Sequence, residues 1–119
     1  MNVVGGPRMV VSSYARGPVT VVALTGELDS ATAHAARGEV LAAVPAGGRL
    51  VLDLGRLTYL SSAGIRTLLL VHRYLRELDV PVVVCGMSDD IREIMRVTGF
   101  LGLFRSLPSL DDGLRELGG

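Results

Sequence analysis

Three short runs of β-branched and apolar residues alternate with segments of helical periodicity, and this alternation constrains the fold more than any other feature. The runs cover residues 19–25, 50–54 and 80–85. They contain too little polar alternation for strands that face water on one side, so we expect them to be buried on both faces. Buried strands separated by helices indicate a mainly parallel sheet with right-handed crossovers. A chain of 119 residues suffices for one such domain.

The remaining segments complete the predicted order β-β-α-β-α-β-α-β-α. Residues 9–14 predict a strand that forms an antiparallel hairpin with the next one, and residues 100–104 predict a short edge strand. Hydrophobic spacing and capping residues predict about four helices, which begin at Asp29 or Ser30, at Ser61 and Ser62, at Ser88, and at Ser109. The sequence thus predicts one α/β domain over residues 9–119, with a central mixed sheet of four to five strands and a loose leader at residues 1–8.

Charge and composition argue against several classes of function. The chain has 12 basic and 12 acidic residues, and such a balance is unsuited to binding duplex nucleic acid. Every basic residue is Arg, so the lysine that a phosphate-binding loop, a Schiff-base enzyme or a receiver domain needs is missing. One cysteine and two histidines are too few for a disulfide or for a Cys- or His-rich metal site. We therefore expect no metal and no cofactor.

The sequence also lacks the usual signs of export or membrane insertion. The first residues do not follow the basic-then-apolar order of a signal peptide. No apolar run approaches the ~18 residues that a spanning helix requires. We therefore expect a cytoplasmic protein that does not contact membranes.

Residues 59–65 form the most informative segment, because two hydroxyls stand where a loop becomes a helix. Helix capping alone accounts for Ser61 and Ser62. The segment also resembles a G-x-S-x-G nucleophile elbow without its first glycine, which keeps a minimal serine hydrolase as a minor hypothesis. The only later histidine, His72, lies on the same predicted helix and out of reach of Ser62.

The other chemically interesting residues favour structural roles. His72 is expected beside the apolar stripe of its helix and His34 on an exposed helix face. Cys85 is expected to be a small core residue. Asp53 has the setting of a receiver-type phospho-aspartate, but the missing lysine favours a hydrogen-bonded structural carboxylate. For Asp29, a helix cap and a partner contact remain equally open.

Four segments resemble, in register, the motifs of one known family. Residues 26–29 read G-E-L-D, and residues 50–54 match a V-x-L-D-L strand. Residues 59–65 match a phosphorylation motif commonly written F/Y-I/L-D-S-S/T-G-L/I, and residues 97–100 with the Ser109 helix match the usual ending. By these motifs the chain resembles a STAS domain, specifically a bacterial anti-sigma factor antagonist.

The resemblance implies regulation by protein binding and no enzymatic activity. It implies that the unphosphorylated chain binds an anti-sigma factor with a GHKL-type serine kinase fold and so frees a sigma factor. It further implies that this kinase phosphorylates Ser62 and so ends the interaction, and that a PP2C-type phosphatase restores it. Ser61 stands where the family usually has Asp, and Ala63 where it has Ser or Thr, so Ser61 is an alternative acceptor.

The same resemblance implies a partner-binding surface around the motif. We expect Gly64 to permit close backbone approach, and Asp29 and a loop at 58–59 to border the contact. The expected surface comprises Asp29, Thr58, Tyr59, Ser61, Ser62, Ala63 and Gly64. Two alternatives remain open, a STAS module that binds a stress-complex or lipid-transport partner without phosphorylation, and a carrier of a small ligand at the sheet edge.

Overall fold

A five-stranded mixed sheet with helices on both faces forms the centre of the computed structural model, which describes residues 8–118. The strands lie side by side in chain order. β1 and β2 are antiparallel, and every other neighbouring pair is parallel. The strands are β1 (Met9–Arg16), β2 (Val19–Leu28), β3 (Arg49–Leu60), β4 (Val82–Cys85) and β5 (Ser106–Leu107). The helices are α1 (Ala33–Ala43), α2 (Ser62–Glu77), α3 (Asp89–Val97) and α4 (Leu110–Leu117). The predicted fold class and element order are confirmed.

The sheet separates two hydrophobic clusters of unequal size. Helices α1, α2 and α3 cover the larger cluster, and α4 covers the smaller one. Alternation along β3 explains why its sequence has no polar face: Leu50 and Leu52 enter the larger cluster, whereas Val51 between them enters the smaller one. Burial on both sides is therefore the physical reason for the continuous apolar runs.

Serine residues cap three of the four helices, as predicted. The hydroxyl of Ser61 accepts the Gly64 N–H at 3.2 Å, Ser88 accepts the Ile91 N–H at 3.2 Å, and Ser109 accepts the Asp112 N–H at 3.1 Å. Each bond satisfies a first-turn amide that a helix leaves without an internal partner.

The start of α1 differs from the prediction. The helix begins at Ala33 after Thr32, whose side chain makes no capping bond. Asp29 instead stabilises the turn before the helix, because its Oδ1 accepts the N–H groups of Ala31 at 2.9 Å and Thr32 at 3.2 Å. The expectation that Asp29 or Ser30 is the N-cap is therefore wrong by a few residues.

β3 is longer than the predicted run at 50–54, and it includes residues 58–59, which were expected to form a loop. The added residues pair with β2 through two register shifts. Such shifts interrupt the alternation of side chains, so a period-2 pattern does not extend through them. Thr58 and Tyr59 consequently lie on the end of a strand and not in a loop.

The predicted edge strand at 100–104 is also corrected. Residues Leu101–Leu103 form a 3-10 helix, and Ser106–Leu107 is the edge strand. Phe104 is buried against the larger core and contacts the His72 ring edge-on, with the ring centroids 5.0 Å apart. The apolar character of this segment thus reflects a turn that positions Phe104 in the core, while Leu103 is 54% exposed.

Most of the predicted leader, residues 1–7, lies outside the described residues. Arg8 is described and belongs to the fold, since its carbonyl accepts the Glu27 N–H at 2.8 Å. Within residues 8–118, no helix has both the length and the apolar character that crossing a bilayer requires.

Candidate functional site

The N-terminus of α2 is fixed on the ends of the two central strands. Leu28 at the end of β2 pairs with Leu60 at the end of β3. The Ser61 N–H donates to the Leu28 carbonyl at 3.0 Å, and the Ile65 N–H donates to the Ser61 carbonyl at 2.9 Å. One backbone hydrogen bond therefore ties the start of the helix to β2, and a second one closes the first helical turn.

Gly64 allows this close contact between helix and sheet. A Cβ at position 64 would lie 2.4 Å from the Leu28 carbonyl oxygen and 2.8 Å from Cδ1 of Leu60. Gly64 itself is buried. The close approach that it permits is made to the chain's own backbone, which corrects its expected place in a partner surface.

The two serines of the motif differ in exposure and in hydrogen bonding. Ser61 is half-buried, and its hydroxyl serves as the helix cap. Ser62 is exposed as the first residue of α2. First-turn amides and the helix dipole favour a negative charge at this end of a helix. Of the two serines, Ser62 is the one that is exposed to solvent at a helix end that favours an anion.

Exposed side chains at the end of β3 precede Ser62 in the chain. Tyr59 is 51% exposed. Thr58 is exposed as well, and its Oγ1 donates to the Gly26 carbonyl at 3.0 Å. Ala63 is half-buried in the first turn of α2. We call the residues Thr58, Tyr59, Ser62 and Ala63 the α2 surface.

Arg8, which the sequence reasoning assigned to the leader, holds two acidic residues at the end of β2. Its Nη2 lies 3.0 Å from Oε1 of Glu27 and also contacts Oδ2 of Asp29. The sequence signal that could have predicted this ion pair is the presence of two carboxylates, Glu27 and Asp29, in the segment G-E-L-D. The Asp29 side chain is only 14% exposed, and its carboxylate oxygens accept hydrogen bonds within the turn and from Arg8.

The electrostatics of Asp29 follow from these contacts. Burial by itself raises the pKa of this carboxyl, but the N–H of Ala31, the charge of Arg8 and the donors of Thr32 outweigh it and hold the pKa below its ordinary value. Asp29 is therefore a charged, hydrogen-bonded carboxylate that shapes the turn after β2. It accepts hydrogen bonds from the turn before α1 and is not the N-cap of the helix, which was the predicted structural role.

Other candidate residues have structural surroundings. His72 is half-buried, and burial followed by the nearby charge of Arg76 lowers its pKa. Ser62 and His72 are separated by about 15 Å along α2 at 1.5 Å per residue, which is too far for a nucleophile and its base. His34 is exposed, with its Nδ1 3.3 Å from Nη2 of Arg37.

Cys85 and Asp53 also serve the fold. Burial, and then the charge of Asp53, raises the pKa of the Cys85 thiol to about 12, so this thiol is protonated at neutral pH. Oδ1 of Asp53 accepts the Gly55 N–H at 2.9 Å, which confirms a hydrogen-bonded carboxylate. In the described part of the chain, no three His, Cys, Asp or Glu side chains come together as a metal site.

Comparison with protein-family models decides the family. Residues 12–107 match the family model described as "Mlab, STAS domain". The chain belongs to the STAS domain family. In this STAS domain the phosphorylation-motif segment forms the junction of β3 and α2, with the helix N-terminus facing solvent.

Relatives of this STAS domain include named regulators. BtrV of Bordetella bronchiseptica, named as a candidate anti-sigma factor antagonist, is 42% identical over 85 residues, which are 71% of this chain and 73% of BtrV. The crystal structure of an anti-sigma factor antagonist from Mycobacterium paratuberculosis aligns with a TM-score of 0.79 at 29% identity, covering 93% of this chain and 95% of that chain.

A third relative shares the fold at lower identity. The Bacillus cell fate determinant SpoIIAA, solved in its phosphorylated form, aligns with a TM-score of 0.68 at 18% identity, covering 92% of this chain and 100% of that chain. At this identity the likeness concerns the fold alone.

Proposed function

We propose that this STAS domain is an anti-sigma factor antagonist whose binding is switched off by phosphorylation of Ser62. The observation that carries the proposal is the exposed Ser62 at the N-terminus of α2, next to Ser61, whose N–H donates to the Leu28 carbonyl of the sheet. The names of BtrV and of the mycobacterial relative support the class of partner.

In this proposal the unphosphorylated chain binds an anti-sigma factor with a GHKL-type serine kinase fold and thereby frees a sigma factor in the cytoplasm. The kinase transfers the γ-phosphoryl group of its own ATP to Oγ of Ser62. A PP2C-type phosphatase later hydrolyses the phosphoserine. The STAS domain is the substrate of both reactions and contributes no cofactor. Its contact with the partner is made by the α2 surface.

The helix N-terminus lets the fold accept the modification. A phosphoryl group adds about −1.5 to −2 charges, and first-turn amides stabilise such a charge. The acidic residues Glu27 and Asp29 at the end of β2 are paired with Arg8, which offsets one of their two negative charges and so reduces repulsion within the domain. Phosphorylation should therefore leave the structure intact.

The effect on binding is much larger, because the charge enters a surface that the partner covers. A unit charge ~6 Å from a like charge costs roughly 3 kcal/mol at an effective dielectric constant of ~20. That cost corresponds to about a hundredfold loss of affinity. The switch would thus be small in structure and large in binding.

The hydrogen bonds favour Ser62 over Ser61 as the acceptor. The Ser61 hydroxyl accepts the Gly64 N–H, and a phosphoryl group there would compete with the cap of α2. Ser62 has an exposed side chain and no such duty among the described contacts.

Intact-mass measurement after incubation with ATP, Mg²⁺ and the cognate kinase tests the acceptor. The wild type should become about 80 Da heavier, which is the mass of one phosphoryl group. Ser62→Ala should remain unchanged, whereas Ser61→Asp, which keeps a capping oxygen, should still be modified. Modification of Ser62→Ala to the wild-type extent would rule out Ser62 as the site.

A pull-down with the kinase-fold partner tests the switch. Ser62→Ala should retain the partner, and Ser62→Asp should lose it because the charge lies in the contact. Val97→Asp introduces the same charge at an exposed position of α3 and should bind like the wild type. Equal retention by Ser62→Ala and Ser62→Asp would contradict the switch.

The second candidate keeps the fold but removes the phosphorylation step. Ser61 stands where the family motif usually has an acidic residue, which favours a STAS module that binds a stress-complex or lipid-transport partner without modification. An unchanged mass with the kinase, together with equal partner binding by both Ser62 variants, would favour this candidate.

A further inference from the structure

β1 forms one side of the sheet, and within residues 8–118 no strand lies along its outer edge. Proteins usually protect such an edge with a charge, a proline or a bulge, since each discourages pairing with another chain. β1 pairs with β2 without a register shift, and its sequence MVVSSYAR has no charged residue before Arg16. This eight-residue edge is therefore unusually open to pairing.

The backbone groups along this edge follow from the hydrogen bonds to β2. The Glu27 N–H donates to the Arg8 carbonyl at 2.8 Å. Residues that bond to a neighbour alternate along an antiparallel strand. The even-numbered residues of β1 therefore bond to β2, and the odd-numbered ones from Met9 to Ala15 direct their N–H and C=O groups outward.

The large exposed apolar side chains of β1 lie on one face of the sheet. Val10 is 44% exposed and Tyr14 is 41% exposed. They are four residues apart with Ser12 between them, so all three point to the same side. This face is the one opposite α1, because Val11, on the other side, packs against the larger core.

We propose that β1 pairs antiparallel with β1 of a second copy of this chain, about a two-fold axis through Ser12. A two-fold axis perpendicular to the sheet keeps every side chain on the same face in both copies. Facing residues must therefore both be even-numbered or both odd-numbered, and the axis must pass through a residue and not between two residues. Centring on Ser12 sets Val10 of each copy opposite Tyr14 of the other, and Val11 opposite Ser13.

This register satisfies both the side chains and the backbone. The outward groups of Val11 and Ser13 face each other and form the hydrogen-bonded pairs. Val10 and Tyr14 occupy the closer, non-hydrogen-bonded pairs, and β-branched residues opposite aromatic ones stabilise a sheet. Centring on Ser13 instead would place Val10 opposite Arg16 and lose this apolar pair.

The arginines at the two ends of the proposed strand pair already have interaction partners within their own copy. Arg8 of one copy would approach Arg16 of the other, but Arg8 is paired with Glu27 and Asp29. The Arg16 guanidinium lies over its own Tyr14 ring, 5.3 Å from the centroid. These contacts reduce the like-charge repulsion at the ends.

The expected dimer is reversible. One strand pair lies at the small end of specific interfaces, below roughly 1,200 Å². Sedimentation of the wild-type chain over a concentration series should show a monomer at low concentration and a dimer at high concentration. A wild type that stays monomeric at every concentration overturns the proposal.

Cysteine cross-linking tests the register, since the native Cys85 is buried. Facing residues at the two-fold axis have Cα atoms about 4.5 Å apart, within the range that a disulfide spans. Two copies of position 13 would lie beyond about 7 Å, which a disulfide does not span. Under mild oxidation Ser12→Cys should form a covalent dimer and its neighbour Ser13→Cys should not. Cross-linking of Ser13→Cys as fast as Ser12→Cys overturns the proposal.

Charge at the axis provides a second test. Ser12→Lys and Ser12→Asp each place like charges directly opposite, so each should weaken the dimer by up to about fivefold. An equimolar mixture should dimerise again because unlike charges then face each other. Val97→Lys, on an exposed part of α3, should sediment like the wild type. A dimer that Ser12→Lys does not weaken would place the interface elsewhere and overturn the proposal. None of these outcomes depends on Ser62 or on a kinase.

Discussion

At the scale of single residues, burial changes the chemistry of Cys85 and His72. Cys85 is fully enclosed at the end of β4, and its thiol has a pKa of about 12. His72 is half-buried against Phe104 and near Arg76, and its pKa is lowered. In both cases the environment favours the neutral form of the side chain.

Cys85 should be unreactive in the folded protein, because the thiolate is the nucleophile and little of it exists far below the pKa. Iodoacetamide labelling followed by mass spectrometry should be slow in buffer and rapid in denaturant. The exposed cysteine of Ser12→Cys should react quickly under the same conditions. Rapid labelling of native Cys85 would contradict the burial of this residue.

Acidification should destabilise the protein through His72. Because the folded pKa is below the ordinary value of about 6.5, the unfolded chain binds more protons as pH falls through that value. The free energy of unfolding should therefore decrease as the pH falls through about 6.5, and level off below the folded pKa. Urea titrations should show a smaller decrease for His72→Gln. The carboxyls with lowered pKa, such as Asp29, titrate below this window.

At the scale of elements, the packing of α2 on the sheet requires a residue without a side chain at position 64. Gly64 brings the helix within contact of the Leu28 carbonyl, and Ser61 caps the same turn. Three hydrogen bonds and one close backbone contact thus set the position of Ser62.

Gly64→Ala should destabilise the protein by about 1–3 kcal/mol, since the added Cβ overlaps backbone that cannot easily move. Gly38→Ala is the matched control: nothing lies within 4 Å of its Cβ, and it sits inside α1. There the same substitution should stabilise by about 0.5–1 kcal/mol. Denaturant unfolding measures both, and effects of the same sign would contradict the close contact.

At the scale of the whole molecule, the sheet divides the stabilisation between two unequal clusters. Leu52 lies in the larger cluster beneath three helices, and Leu114 lies in the smaller one beneath α4 alone. The two clusters share every central strand, so the molecule should unfold in a single cooperative transition.

Truncation in the two clusters should differ in cost. Leu52→Ala should lower the free energy of unfolding by about 2–5 kcal/mol, because a cavity forms where surrounding residues cannot collapse. Leu114→Ala should cost less, since α4 is an eight-residue helix at the edge of the fold that can readjust. Chemical denaturation of both variants tests the order. A larger loss for Leu114→Ala would indicate that α4 anchors the sheet.

Much of the fold was predictable because it depends on local patterns. Buried runs such as residues 50–54 marked parallel strands, and Ser88 and Ser109 marked helix starts. The register shifts in β3, the 3-10 turn before the buried Phe104 and the ion pair of Arg8 were missed. Each of them depends on residues distant in the sequence, which no local period encodes.

The candidate site shows the same division. The amino-acid sequence by itself determined that a serine pair opens α2, since capping and helical spacing are properties of neighbouring residues. Only the tertiary structure decided that the Ser61 hydroxyl caps the helix while Ser62 faces solvent. It also decided that Asp29 is paired with Arg8 and that Gly64 allows the helix to contact the sheet. The physical reason is that exposure and pairing arise where strands and helices distant in the chain come into contact.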